Sequence, residues 1–174
     1  MGYRAKPNGP KTSSGKDKYV QGTYNIINQK KYLGDPTVVY FRSSWEYKLY
    51  FYLDNEPRVI RWNIEGITIP YEMKDDKGNW NTMRYHPDAY AEIVALDGSI
   101  SKNVIEIKPY NETIPPEHPK RITAKSLENH EYRLRTYLKN LNKWDAAKKY
   151  CDKRGLNFMV MTEKYFDGKQ VKIF

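Results

Sequence analysis

Asp88, Glu106 and Lys108 are the residues of this sequence whose types and spacing suit one reaction. In an extended strand side chains alternate, so residues two apart share a face at a separation of about 7 Å. Glu106 and Lys108 therefore present a carboxylate and an ammonium side by side, with Ile105 and Ile107 pointing the other way. Residues 89–95 form a second alternating run, with Ala89, Ala91, Ile93 and Ala95 on one face and Tyr90, Glu92 and Val94 on the other, which reads as a half-buried strand. A turn at Asp97-Gly98 separates the two runs. Paired as a hairpin, they set Asp88 across from the end of the second run, beside Glu106 and Lys108. Such a group suits metal-assisted phosphodiester hydrolysis. Two carboxylates are hard ligands for Mg²⁺, which keeps several waters and takes one or two carboxylates plus substrate phosphate. Mn²⁺ is the natural substitute. Lys108 would orient or help deprotonate the attacking water and offset charge on phosphorus. The bland alternative is a surface hairpin whose Glu106 and Lys108 form an exposed pair worth less than ~1 kcal/mol.

These groups need elements to hold them. Ser43-Ser44-Trp45-Glu46 opens a helix that runs through Leu53 and stops before Pro57. Glu46, Leu49, Tyr50 and Leu53 fall at helical spacing on one face, so the glutamate shares a face with apolar residues. Two roles for it stay open: a third carboxylate at the site, or a capping box in which Glu46 bonds back to the Ser43 amide. Ahead of that helix, residues 24–32 fit either a short helix or an irregular cover, and residues 37–41 read as a strand. After it come short strands at residues 59–62 and 67–71, then a hairpin turn at residues 75–78. Pro115, Pro116 and Pro119 break the chain beyond the site, and the basic cluster Lys120, Arg121 and Lys125 follows. Leu134, Leu138, Leu141, Trp144, Ala147 and Cys151 then recur in steps of three and four, the stripe of one long helix or of two joined near Asn140 and Asn142. Arg133, Arg135, Lys139, Lys143, Lys148, Lys149 and Lys153 lie off that stripe, either as a solvated face or as a grip on backbone phosphates. Gly155 suits the residue after a helix, and residues 158–161 suit a buried strand. The order is α-β-β-β-α-β within one domain over residues 19–174, preceded by a flexible basic arm at residues 1–18.

The pattern Pro87-Asp88, spacer, Glu106-Ile107-Lys108 resembles the PD-(D/E)XK nuclease superfamily. The wider set looks like the head-completion nuclease family of T4-like tailed phages: Lys31-Tyr32-Leu33-Gly34-Asp35-Pro36, Tyr40-Phe41-Arg42-Ser43-Ser44-Trp45-Glu46, Trp62, Ile69-Pro70-Tyr71, Lys143-Trp144, Tyr150-Cys151, Arg154-Gly155 and Thr162-Glu163. The TnsA-type transposon endonuclease shares the same core and is a cousin of that reading. The resemblance implies a restriction-endonuclease-like α/β core, a mixed sheet flanked by helices. It also implies a Mg²⁺-dependent endonuclease that processes double-stranded DNA at the filled phage head. Glu46, Asp88, Glu106 and the backbone carbonyl of Ile107 are the metal ligands so implied, with Lys108 as catalytic lysine. Lys143 lies in the family pattern and is assigned to DNA, with Lys120, Arg121 and Lys139 beside it. Phage head or neck proteins are the implied partners, in the host cytoplasm or the virion head. A protein of another class, binding DNA in head or neck assembly without cutting it, is the rival.

Composition narrows the field. Thirty Lys and Arg against twenty-one Asp and Glu give +9 over 174 residues, which favours a polyanionic partner. One cysteine, Cys151, excludes a disulfide framework and a thiolate zinc site and points to a reducing compartment. His86, His118 and His130 lack metal-ligand spacing, and neither a P-loop nor a nucleophile motif is present. No apolar run is long enough for a membrane span or a signal peptide, so a soluble, unexported protein without membrane contact is expected.

Overall fold

A computed structural model describes residues 21–75, 77–166 and 172–173. The basic arm expected at residues 1–18 lies outside the described residues. The chain opens with β1 (Gly22–Thr23), paired antiparallel to β2 (Tyr40–Phe41), so only the end of the strand expected at residues 37–41 forms. Between them the chain is an irregular cover with one 3₁₀ turn at Gln29–Lys31. Asp54, fully buried, holds this cover down: it accepts from the Tyr24 hydroxyl at 3.0 Å and from the amides of Ile27 and Asn28 at 2.7 and 2.9 Å. A buried carboxylate is tolerated there because donors surround it.

Helix α1 (Ser44–Asn55) follows, with Ser43 as its cap, accepting from the Glu46 amide. Next come β3 (Val59–Ile64), β4 (Ile69–Lys74), β5 (Trp80–Tyr85), β6 (Ala89–Val94) and β7 (Ile100–Ile107). Helix α2 (Ala124–Asp152), β8 (Asn157–Met161), the short α3 (Glu163–Phe166) and β9 (Lys172–Ile173) complete the chain. The main sheet is mixed, in the order β3-β6-β7-β8-β9, and only β7 and β8 run parallel. A parallel pair needs a crossover, and α2 supplies it. The expected α-β-β-β-α-β order is therefore α1, β3, β6, β7, α2 and β8, with β4 and β5 inserted as a separate antiparallel hairpin.

The sheet has a core on each face. Leu49, Tyr50 and Leu53 of α1 pack with Trp62, Ala89, Ala91, Ile105 and Ile107 on one side. Trp144, Ala147 and Cys151 of α2 pack with Val104, Phe158 and Val160, and with Ile69, Tyr71 and Tyr85 of the hairpin, on the other. This corrects the reading of β6 as a strand with one wet face, because Tyr90 packs against the second core. Helix α2 is one unbroken element, the first of the two alternatives its stripe left open, with no joint at Asn140 or Asn142: Asn140 is itself buried, and asparagine costs a helix only tenths of a kcal/mol. Its 29 residues span about 43 Å at 1.5 Å per residue, and only the C-terminal half lies on the sheet. Leu134, Leu138 and Leu141 consequently remain 37–50% exposed, although they continue the stripe of Trp144, Ala147 and Cys151. Gly155, at φ 63°, ends the helix, with Leu156 N–H donating to the Cys151 carbonyl at 3.0 Å.

Candidate active site

The antiparallel register of β6 and β7 places Ala89 opposite Ile105. Asp88, one residue before β6, is thus carried to the end of β7, where its Oδ2 accepts the Ile107 amide at 2.7 Å. The alternation of β7 sends Ile105 and Ile107 into the core under α1, and Glu106 toward α2. Glu106 is 3% exposed, which rules out the surface-pair alternative. Its Oε2 accepts the Tyr85 hydroxyl at 2.7 Å, and its Oε1 lies 3.1 Å from the Lys108 ammonium. The Lys108 amide donates to the Met161 carbonyl at 2.9 Å, so parallel pairing with β8 holds this end of β7.

The electrostatics follow from packing like charges together out of water. Burial pushes Asp88 well above the usual carboxylate range and the Glu106 charge adds to the rise, while Lys108 and the Ile107 amide oppose it. Burial works against the Lys108 ammonium, but the charges of Glu106 and Asp88 outweigh it and hold its pKa above the ordinary lysine value. Tyr85 is raised by burial and then by Glu106, so its phenol keeps its proton and acts as a donor.

Glu46 reaches this region from the other side. Its carboxylate accepts the Arg42 amide at 2.8 Å and the Ser43 hydroxyl at 3.1 Å, so the helix cap exists but closes on the amide of Arg42 and not on that of Ser43. The Glu46 charge still contributes to the rise of Asp88 and, after burial, to that of Tyr50. Among the described residues, no three Asp, Glu, His or Cys side chains converge as a metal-binding group. A cation at the end of β7 would therefore be held by the two carboxylates of Asp88 and Glu106. The site's chemistry fits a hard dication: the donors are oxygens, and their mutual repulsion is what such an ion relieves.

Of the residues assigned to DNA, α2 brings Lys143 to the rim, its ammonium 5.4 Å from the centre of the Tyr85 ring. Burial lowers the Lys143 pKa, and Lys108 and Lys139 push the same way against the pull of Glu106 and Asp88. Lys139 is thus part of the same field. Lys120 and Arg121 are exposed ahead of α2, whose first residue is about 28 Å along the helix from Lys143. His86 shares a hydrogen bond of 3.2 Å with the Thr68 hydroxyl, the local hydrogen-bonding role that a lone histidine usually has. Tyr85 is the site residue that sequence reasoning missed. Its one signal is its place at the end of β5, three residues before Asp88.

Residues 56–163 match the family described as TnsA-like endonuclease N terminal. The chain is 35% identical over 136 residues to the head completion nuclease of Enterobacteria phage T4, covering 78% of this chain and 86% of that protein. No solved structure matches the chain.

Proposed function

The chain belongs to the TnsA-like endonuclease family and is a phage head-completion nuclease, and on that premise we propose that it hydrolyses DNA with a divalent cation, Mg²⁺ or in its place Mn²⁺, held by Asp88 and Glu106. The observation that carries this reading is the register that joins Asp88 to the Ile107 amide and so gathers two carboxylates and Lys108 at one strand end. The Ile107 carbonyl and Glu46 are the further ligands assigned to the ion. When bound, the ion polarises the scissile phosphate and lowers the pKa of a water.

The protein's own groups do the rest. Lys108, its ammonium 3.1 Å from Glu106, donates toward the phosphate and offsets charge that builds on phosphorus. Tyr85 holds the Glu106 carboxylate in one orientation. Lys143 and Lys139 bind backbone phosphates of double-stranded DNA beside the cut, with Lys120 and Arg121 on phosphates farther out, which gives a sequence-independent and salt-sensitive grip. We assign the arm at residues 1–18 to the same electrostatic contact or to a head or neck protein. Residues 19–174 are assigned to the nuclease domain. Among the described residues no helix is long and apolar enough to cross a membrane.

The test is incubation of purified protein with circular and linear DNA, with Mg²⁺, with Mn²⁺ and with chelator. Metal-dependent nicking or linearisation is expected, and chelator stops it. Binding without any cleavage in either metal would leave a DNA-binding assembly protein in its place.

A further inference from the structure

A cleft of about 970 Å³ opens between the β4–β5 hairpin and the C-terminal half of α2. None of its lining residues belongs to the cluster around Glu106. Three aromatic rings line it, Tyr71, Trp80 and Tyr150, of which Tyr71 is buried in the core beneath. Trp80 is 65% exposed, although burying so large a side chain would stabilise the fold. The Lys74 ammonium lies 5.0 Å from the Trp80 ring centre, and the Arg154 guanidinium covers Tyr150 at 3.7 Å. Lys149 and Asp145 pair at 2.7 Å, which leaves Lys153 and Arg154 against the single carboxylate of Glu72 in the lining.

We propose that this cleft holds single-stranded DNA continuous with the strand being cut, with an unpaired base stacked on Trp80 and phosphates on Lys153 and Arg154. The proposal rests on the nuclease reading above and names a substrate class for it: DNA with a single-stranded tail. In a duplex each base is covered by its neighbours, so a base can stack on Trp80 only where bases are unpaired. Tyr85, which holds Glu106, and Trp80 are the two ends of β5, about 17 Å apart at the strand rise and on opposite faces of the strand, so DNA reaching from one to the other rounds the hairpin edge, a path longer than about five stacked nucleotides at 3.4 Å each.

The experiment measures binding of the full chain, in chelator so that nothing is cut, to labelled DNA that is blunt or carries a tail of about three or about eight nucleotides, either side of the span just given. The longer tail should bind about tenfold tighter than blunt DNA, the gain expected of one stacked base, and the shorter tail should not. Trp80→Ala should abolish that gain and leave blunt binding unchanged. Trp80→Phe, which keeps a ring, should retain it. An equal loss on blunt and tailed DNA would make the cleft a duplex contact and overturn the proposal. A wild-type protein that gains nothing from the tail would also overturn it, the outcome expected if the cleft takes an acidic peptide. The nuclease reading is scored separately, with Mg²⁺: cleavage without a tail gain sinks the cleft alone, and a tail gain without cleavage sinks the nuclease alone.

Discussion

The end of β7 and the first turn of α1 each hold a glutamate at the edge of the core, and they hold it by different means. Glu46 is braced by Arg42 and Ser43, neighbours within four residues, in contacts that would form in an isolated helix start. Glu106 is braced by Tyr85, twenty-one residues away, and by Lys108, in a place where it is 3% exposed. The first arrangement stabilises the helix that contains it. The second concentrates charge beside Asp88 and raises that residue's pKa, which is a cost to folding that chemistry explains and packing does not. A carboxylate satisfied by its own sequence neighbours is thus weak evidence for a site. One that a distant hydroxyl orients, beside a second acid, is stronger.

The comparison breaks or sharpens first at the β7 end. Asp88→Ala and Glu106→Ala should each lower cleavage by at least ~10³-fold with circular dichroism unchanged, since each removes charge stabilisation worth several kcal/mol. Wild-type cutting by either folded variant would remove the distinction between the two glutamates. Tyr85→Phe should raise the Mg²⁺ concentration needed for half-maximal cleavage by about 10–100-fold, the usual cost of losing an outer-shell partner. An unchanged Mg²⁺ titration would mean that the Glu106 orientation does not depend on Tyr85.

The α1 side is probed by a pair of variants. Ser43→Ala removes a cap and should cost about 1 kcal/mol, or 2–4 °C in Tm for a chain of this size, with cleavage retained. Glu46→Gln can still close the cap but loses its charge, and should melt normally while needing about tenfold more Mg²⁺. Normal cleavage by Glu46→Gln would assign that residue to the cap alone.

A smaller effect concerns pH. Asp88 is raised in the folded protein, so the folded state binds the proton more tightly than the unfolded chain does. Its contribution to stability is therefore full below the ordinary aspartate pKa and is lost as pH rises through the raised value. Asp88→Asn should flatten that fall and raise Tm at neutral pH by a few degrees, about 1 kcal/mol, while abolishing cleavage. A Tm lower than wild type at neutral pH would show that the Asp88 carboxylate is not under strain. Least of all, Lys143→Ala should reduce the slope of log K against log salt by about one, with binding weakened equally on unrelated sequences. An unchanged slope would take Lys143 off the phosphate path.

Much of this was legible in the sequence because it is local. The Asp97-Gly98 turn and the alternation on either side of it dictate the hairpin, and the hairpin carries Asp88 to Glu106 whatever packs around it. The start of α1 is written in Ser43 and Glu46, and the end of α2 in Gly155. What stacks on what was not legible. The leucines of α2 and its buried Trp144 and Ala147 share one periodic stripe, and only the length of the sheet beneath decides which are covered. Tyr90 reads as a wet-face residue until α2 and the hairpin close the second face of the sheet. Tyr85 meets Glu106 because β4 and β5 form a separate hairpin whose core face packs with α2, an arrangement with no signature in the spacing of the two residues. By itself, then, the sequence determined the chemistry available and the register that brings Asp88 to Glu106, because turns and side-chain periodicity act over a few residues. Only the tertiary structure decided which charges lie out of water, which hydroxyl orients them and which lysine of α2 reaches the rim, because burial and long-range contacts depend on how whole elements pack.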